Sequence, residues 1–179
     1  MKTTQILIAG FGGQGVLSAG KFLAYKGLKE NKQLSWLPSY GPEMRGGTAN
    51  CSVILSETPV GSPIITTPDV LIAMNQPSLD KYIDSVAPGG QVYLDSSLIH
   101  YRQKRTDIQV FPIPATAMAK ENDMATLANM ILVGALLENH PELSFEGTDA
   151  LVAELVPPKK AALVELNMKA LKLGKEYKE

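Results

Sequence analysis

The chain has 179 residues, of which 45% are hydrophobic, and a formal net charge of −1. That length fits one domain, residues 1–179, with a sizeable core, and that hydrophobic share argues against disorder. Its 17 basic and 18 acidic residues are spread along the chain, which excludes the basic excess expected of a nucleic-acid-binding protein.

Cys51 is the single cysteine, and the two histidines, His100 and His140, lie far apart in sequence. One thiol can form neither an internal disulfide nor a thiolate metal site or iron–sulfur cluster. Any electron carriers are therefore expected on another chain. Met1–Thr4 runs straight into a strand pattern, without the basic, apolar and small-residue regions of a signal peptide. The longest apolar run, around Met130 to Leu137, is too short to span a bilayer. The expected location is the cytoplasm, with no membrane partner.

Gln5–Ala9 (QILIA) is a short apolar run ending at a glycine, the pattern of a buried strand. Gly13–Glu30 reads as a helix, with Val16, Gly20, Leu23 and Gly27 on one face. The two glycines there allow close approach to a sheet. Asn31-Lys32 stops the helix, and Gln33–Leu37 is a second strand. Pro38–Gly47 holds two prolines and three glycines and is a loop. Thr48–Ser56 is a third strand. The loop before it is short and carries no helix, whereas parallel neighbours need a long crossover. The sheet is therefore expected to be mixed. After an irregular stretch over Thr58–Pro68 come a strand at Asp69–Ala73, a helix over Pro77–Val86 and a strand at Gln91–Leu94. A sixth strand follows at Ile108–Pro112. From Ala115 the pattern is helical. Met124–Asn139 is apolar almost all round, which marks a helix buried in the core or against a partner. The last helix, Pro158 to about Tyr177, places Leu163, Leu166, Ala170 and Leu173 on one stripe. The expected architecture is α/β: three layers, α/β/α, around a mixed, mostly parallel sheet with a Rossmann-like N-terminal βα turn.

Two segments carry candidate chemistry. Gly10-Phe-Gly-Gly-Gln-Gly15 contains G-x-G-x-x-G between a strand and a helix. Without Cβ atoms at Gly10, Gly12, Gly13 and Gly15, backbone N–H groups can reach a phosphate at the helix N-terminus, with Gln14 among them. A tight turn without a ligand is the plainer alternative. A nicotinamide site would add an acid at the end of the second strand, but Leu37-Pro38-Ser39 stands there. Glu30 precedes that strand, and Glu43 lies well into the loop. The second segment, Ser39-Tyr-Gly-Pro-Glu-Met-Arg-Gly-Gly47, leaves the carboxyl end of the second strand, where it can line one crevice with the first loop. Arg45 supplies a fork of donors for a phosphate or carboxylate, Gly46 and Gly47 let the chain pass close to it, and Glu43 can orient it. An Arg45–Glu43 surface pair is the alternative. Asn75, at the end of a strand, either lines the crevice or closes a turn. Asn129 within the apolar helix either meets a local hydrogen-bonding need or touches a partner chain. Tyr101–Arg105 reads as a solvated basic edge and Cys51 as a small buried hydrophobe.

The segments GFGGQGVLSAGKFLA, SYGPEMRGGTANCSVILS, PDVLIAMNQPSLDKY and ANMILVGALLE resemble, in order and over essentially the whole chain, the gamma subunit of 2-oxoacid:ferredoxin oxidoreductases, the pyruvate/2-oxoglutarate family. The resemblance implies a subunit of a complex that oxidatively decarboxylates a 2-oxoacid with coenzyme A, giving acyl-CoA, carbon dioxide and electrons for ferredoxin. It implies 2-oxoglutarate first and branched-chain 2-oxoacids next as substrates. It also implies alpha, beta and ferredoxin-like partner subunits that carry thiamine diphosphate, Mg and iron–sulfur clusters. No cofactor is then resident on this chain and no catalytic residue is expected on it. The resemblance implies coenzyme A at or near the glycine turn, with candidate contacts Gly10, Gly12, Gly13, Gln14, Gly15, Ser39, Tyr40, Glu43, Arg45, Gly46, Gly47 and Asn75. The rival readings are a stand-alone NAD-dependent dehydrogenase-type domain and a small-ligand sensor.

Overall fold

A computed structural model describes residues 2–39, 48–102 and 104–179. Its centre is a six-stranded sheet in the order β2-β3-β1-β4-β5-β6. The strands are β1 (Thr3–Phe11), β2 (Gln33–Ser39), β3 (Thr48–Ser56), β4 (Val70–Ala73), β5 (Gln91–Asp95) and β6 (Gln109–Ile113). β1, β4, β5 and β6 run parallel, and β3 lies antiparallel between β1 and β2. The expected mixed, mostly parallel sheet is thus present, with β3 as the reversed strand.

Alternation along β1 divides the core. Ile6 and Ile8 join the larger cluster, under α1 (Val16–Lys29) and α4 (Ala128–Asn139), whereas Leu7 joins the smaller one with Leu71, Leu79 and Val92. The smaller cluster is covered by α2 (Gln76–Tyr82), its 3₁₀ continuation Ile83–Ser85, and Ile99, Tyr101 and Ile108. Helices therefore lie on both faces, with the thinner layer on the α2 side.

α1 starts at Val16, three residues later than the apolar pattern predicts, because Gly13 and Gly15 take positive φ values of 92° and 77° and belong to the turn. It ends in a left-handed Asn31 (φ 57°), with Lys32 N–H bonded to the Gly27 carbonyl and Asn31 N–H to that of Leu28, a Schellman closure. A Cβ on Gly20 would collide with the Cys51 sulfur, and one on Gly27 with the Leu55 side chain, so both glycines do bring α1 onto β3.

α4 is buried over Ala128–Leu137 and packs mainly against α6 (Ala162–Glu176). The two helices meet through reciprocal glycines: a Cβ on Gly134 would strike the backbone of Leu171, and one on Gly174 the backbone of Ile131. Met124–Leu127, expected within this helix, forms a preceding turn after the left-handed Asp123. The buried stripe of α6 is Ala170, Leu171 and Gly174, while Leu163, expected in it, is exposed. α3 (Ala115–Glu121) and α5 (Thr148–Leu155) complete the large layer. α5 has only eight residues and starts at Gly147 without a side-chain cap, so it carries little sequence signal. Among the described residues, no helix is long and apolar enough to cross a membrane.

Candidate functional site

The carboxyl ends of β1, β4, β5 and β6 share one edge of the sheet. From that edge α1 departs to one face and α2 to the other, and this parting of the helices marks the ends of β1 and β4 as the expected place of a ligand crevice. In open α/β sheets such a switch of face is where ligands bind. One wall is the glycine turn, and the other is Met74–Gln76.

Gly10 remains in β1, paired with Ala49. A Cβ there would come within 2.7 Å of Gln14 Oε1 and 2.9 Å of Met74 Cβ. Gly12 and Gly13 are exposed in the turn, and Gly13 has open space where its Cβ would stand. Gln14 Oε1 accepts the Phe11 N–H at 2.6 Å, and its Nε2 donates to the Met74 carbonyl at 2.9 Å. Its amide is therefore a brace across the crevice. The first intrahelical bond of α1 runs from Ala19 N–H to the Gly15 carbonyl, and no side chain caps the helix. Among the described residues, no carboxylate or hydroxyl satisfies the donors of its first turn. An uncapped N-terminus after a turn free of Cβ bulk fits a phosphate by donor chemistry and by room.

Asn75 caps α2: its Oδ1 accepts the Ser78 N–H at 2.8 Å. Its buried Nδ2 has no hydrogen-bond partner among the described residues. Asn129, on α4, donates from Nδ2 to the Gly15 carbonyl at 3.0 Å, and its Oδ1 is buried without a partner among the described residues. It also lines a cavity of about 320 Å³ beside the turn, with Ser18, Lys21, Phe22 and Met130. A larger cleft, about 970 Å³, runs between α2 and a wall that includes Ser96, His100, Arg102 and Arg105. Arg105, expected in a solvated edge, instead fastens that segment down: it donates to the carbonyls of Ile83 and Val86 and pairs with Asp107 at 2.6 Å.

The second loop opens at the same edge. Ser39 pairs with Asn50, which pairs with Ala9, and Thr48 pairs with Phe11, the last residue of β1. Ser39 is thus two strand spacings, about 9–10 Å, from the start of the glycine turn. Tyr40, Glu43, Arg45, Gly46 and Gly47 lie outside the described residues. Elsewhere, Glu30 is held by Lys26 at 2.5 Å and Lys32 at 3.4 Å, at the end of α1 rather than of a strand. With β3 inserted, β2 is also not the neighbour of β1, as it would be in a dinucleotide fold. Cys51 is fully buried and accepts the Trp36 indole N–H at 2.9 Å; desolvation pushes its thiol up to about 11. No group of three or more His, Cys, Asp or Glu able to hold a metal occurs among the described residues.

Residues 5–177 match the family model for pyruvate ferredoxin/flavodoxin oxidoreductase. The chain belongs to this family. It is 38% identical to the ketoisovalerate oxidoreductase subunit VorA of Methanothermobacter thermautotrophicus over 97% of this chain, which spans about a third (36%) of that relative. The gamma subunit of a keto/oxoacid ferredoxin oxidoreductase from Geobacter sulfurreducens is 31% identical and superposes with a TM-score of 0.81, covering 97% of this chain and 96% of that one. The 2-oxoglutarate:ferredoxin oxidoreductase of Magnetococcus marinus, solved with 2-oxoglutarate, coenzyme A and succinyl-CoA bound, is 25% identical with a TM-score of 0.87. It matches 98% of this chain and 31% of its own. The gamma-type resemblance read from the four sequence segments therefore holds.

One feature of the crevice escaped the sequence, and a second was read from it only in part. The Met74 acceptor is a backbone carbonyl and leaves no trace in residue type. Asn129 left one: a lone polar residue within a run of apolar ones.

Proposed function

We propose that the chain serves as the gamma-type component of a coenzyme A-dependent 2-oxoacid:ferredoxin oxidoreductase and that its glycine turn receives the diphosphate of coenzyme A. The observation that carries the reading is the uncapped N-terminus of α1 behind the Gly10–Gly15 turn, at the edge where α1 and α2 part. Two phosphates there meet unsatisfied N–H donors and a favourable helix dipole. Gly13 leaves room for the ligand, Gln14 and Asn75 hold the two walls, and Ser39 leads into the second loop. Tyr40, Glu43, Arg45, Gly46 and Gly47 are assigned to that loop's share of the site on sequence grounds.

The reaction so assigned consumes a 2-oxoacid, coenzyme A and two oxidised ferredoxins. It yields acyl-CoA, carbon dioxide, two reduced ferredoxins and a proton. Thiamine diphosphate with Mg supplies the decarboxylation chemistry, and iron–sulfur clusters conduct the electrons. All of these are assigned to alpha, beta and ferredoxin-like subunits, and the complex to the cytoplasm. This chain's part is to bind coenzyme A and orient its thiol end toward the partner that holds the acyl group. 2-Oxoglutarate is the favoured substrate, with branched-chain 2-oxoacids next; the relatives divide between ketoisovalerate and 2-oxoglutarate. A NAD-dependent reading finds no support in Glu30, whose carboxylate is taken up by two lysines.

The test is to purify the complex and the isolated chain side by side. Reduction of a viologen with 2-oxoglutarate and coenzyme A by the complex, and none by the isolated chain, is the expected result. Arg45→Ala in the complex should weaken coenzyme A about ten- to a hundredfold, the value of a charge-assisted hydrogen bond. Turnover by the isolated chain, or stabilisation of the chain by NAD but not by coenzyme A, overturns the proposal.

A further inference from the structure

We propose that Asn129 is a positioning residue for the ligand-binding turn, holding the first turn of α1 in place from the core helix α4. The inference rests on the reading of the glycine turn as the coenzyme A site.

Asn129 is the one buried polar side chain of α4. It reaches 114 positions back along the chain to the Gly15 carbonyl, at 3.0 Å. That carbonyl also accepts the Ala19 N–H at 3.0 Å, so two donors fix its direction. A peptide plane turns as a unit: fixing the Gly15 carbonyl fixes the N–H of Val16 on its far side, the first donor of the uncapped helix. Gly15 is the joint. Its φ of 77° is left-handed, and a Cβ there would collide with the Asn129 amide. Glycine is required at 15 for two reasons, and one of them is Asn129.

The arrangement is not the one stability alone favours. Asn129 Oδ1 is buried with no partner among the described residues, within an otherwise apolar helical segment. Burying an unsatisfied acceptor is costly, and an apolar side chain of the same shape avoids the cost. The bond to Gly15 offsets only the donor half of the amide. What Asn129 supplies beyond packing is direction: the turn cannot rock about Gly15 without breaking a hydrogen bond to the most deeply buried helix. A donor array that is held before the ligand arrives loses less freedom on binding.

The role predicts a separation of effects. Asn129→Leu has the same branching, removes the unsatisfied oxygen and releases Gly15, so the fold is kept while the turn is freed. In the complex purified with its partner subunits, Asn129→Leu should raise the KM for coenzyme A about tenfold, the worth of one hydrogen bond's orientation. The kcat and the KM for the 2-oxoacid should stay within about twofold of wild type, since the interaction acts on coenzyme A binding alone. Asn129→Ala, which frees the turn without adding bulk, should do the same and covers the case in which leucine disturbs assembly. Gly13→Glu, which puts a carboxylate into open space on the ligand side, serves as the reference for the turn itself. If Gly13→Glu raises the KM for coenzyme A and neither Asn129 variant does, the positioning role is wrong and the coenzyme A reading survives. If Gly13→Glu leaves the KM unchanged, the coenzyme A reading fails and the proposal with it. A fall in kcat and stability without a change in that KM marks Asn129 as packing only and also overturns it.

Discussion

Gln14 and Met74, sixty positions apart, tie the ends of β1 and β4 together: the Gln14 Nε2 donates to the Met74 carbonyl at 2.9 Å while Met74 N–H donates to the Ala9 carbonyl at the same distance. With Gln14 Oε1 on Phe11 N–H, one side chain closes both the turn and the crevice. Replacing it with leucine removes both bonds. At about 1 kcal/mol for each, Gln14→Leu should lower unfolding stability by about 2 kcal/mol, measured by urea denaturation. A loss below a few tenths would show that the amide is not a brace.

The α4–α6 crossing gives a sharper contrast. Gly134→Ala and Gly174→Ala each force a methyl into the facing helix's backbone, which cannot swing aside as a side chain does. Each should cost about 3 kcal/mol or more, at the upper end of overpacking. Gly61→Ala, with nothing within 4 Å of the added atom, should leave thermal stability within experimental error. Equal melting temperatures for all three proteins would contradict the close crossing.

His140 makes stability depend on pH. Desolvation holds its pKa below the ordinary value, against the raising influence of Glu142 and Asp69 and together with the lowering influence of Lys32. Its Nδ1 accepts the Glu142 N–H at 3.2 Å, which requires the unprotonated nitrogen. The unfolded chain, with a pKa of about 6.5, then takes up a proton before the folded one does. Stability is full above that value and falls as pH drops through it toward the folded pKa. His140→Gln should flatten the stability profile below about pH 6.5. An equally steep profile in the variant would falsify the assignment.

Cys51 should be inert in the native state. It is fully buried and its thiol is pushed up to about 11 by desolvation, with the Trp36 bond acting weakly the other way. A thiol reagent at neutral pH should label it only as fast as the protein opens, and at once in denaturant. Rapid labelling of the folded chain would place the thiol nearer to solvent than the structure does.

What the sequence disclosed follows from periodicity. β3 was legible to the residue because Thr48–Ser56 is bounded by glycines and a turn, and the reversed direction of β3 followed from a connection too short for a parallel crossover. Boundaries that depend on backbone angles were not legible. Gly13 and Gly15 count as helical by spacing, yet their positive φ values keep them out of α1. The stripe on α6 slipped because its packing is set by Gly174 against Ile131, a contact that residue hydrophobicity does not record. At the candidate site the glycines marked a turn in which the backbone is bare of side chains. The braces, Gln14 to Met74 and Asn129 to Gly15, are pairings distant in the chain, and one sequence holds no trace of distance.

One feature of β2 bears on how copies of this chain meet. β2 lies at the edge of the sheet, with Trp36 and Leu37 partly exposed, and ends in Pro38 and Ser39. An apolar outer strand is an invitation to templated growth, one molecule's backbone extending another's ladder. Pro38 has no N–H to offer, and its ring interrupts any seventh strand that tries to register there. Contacts along this rim then fall to side chains, and growth of the ladder from one copy of the chain to the next meets a missing donor at Pro38.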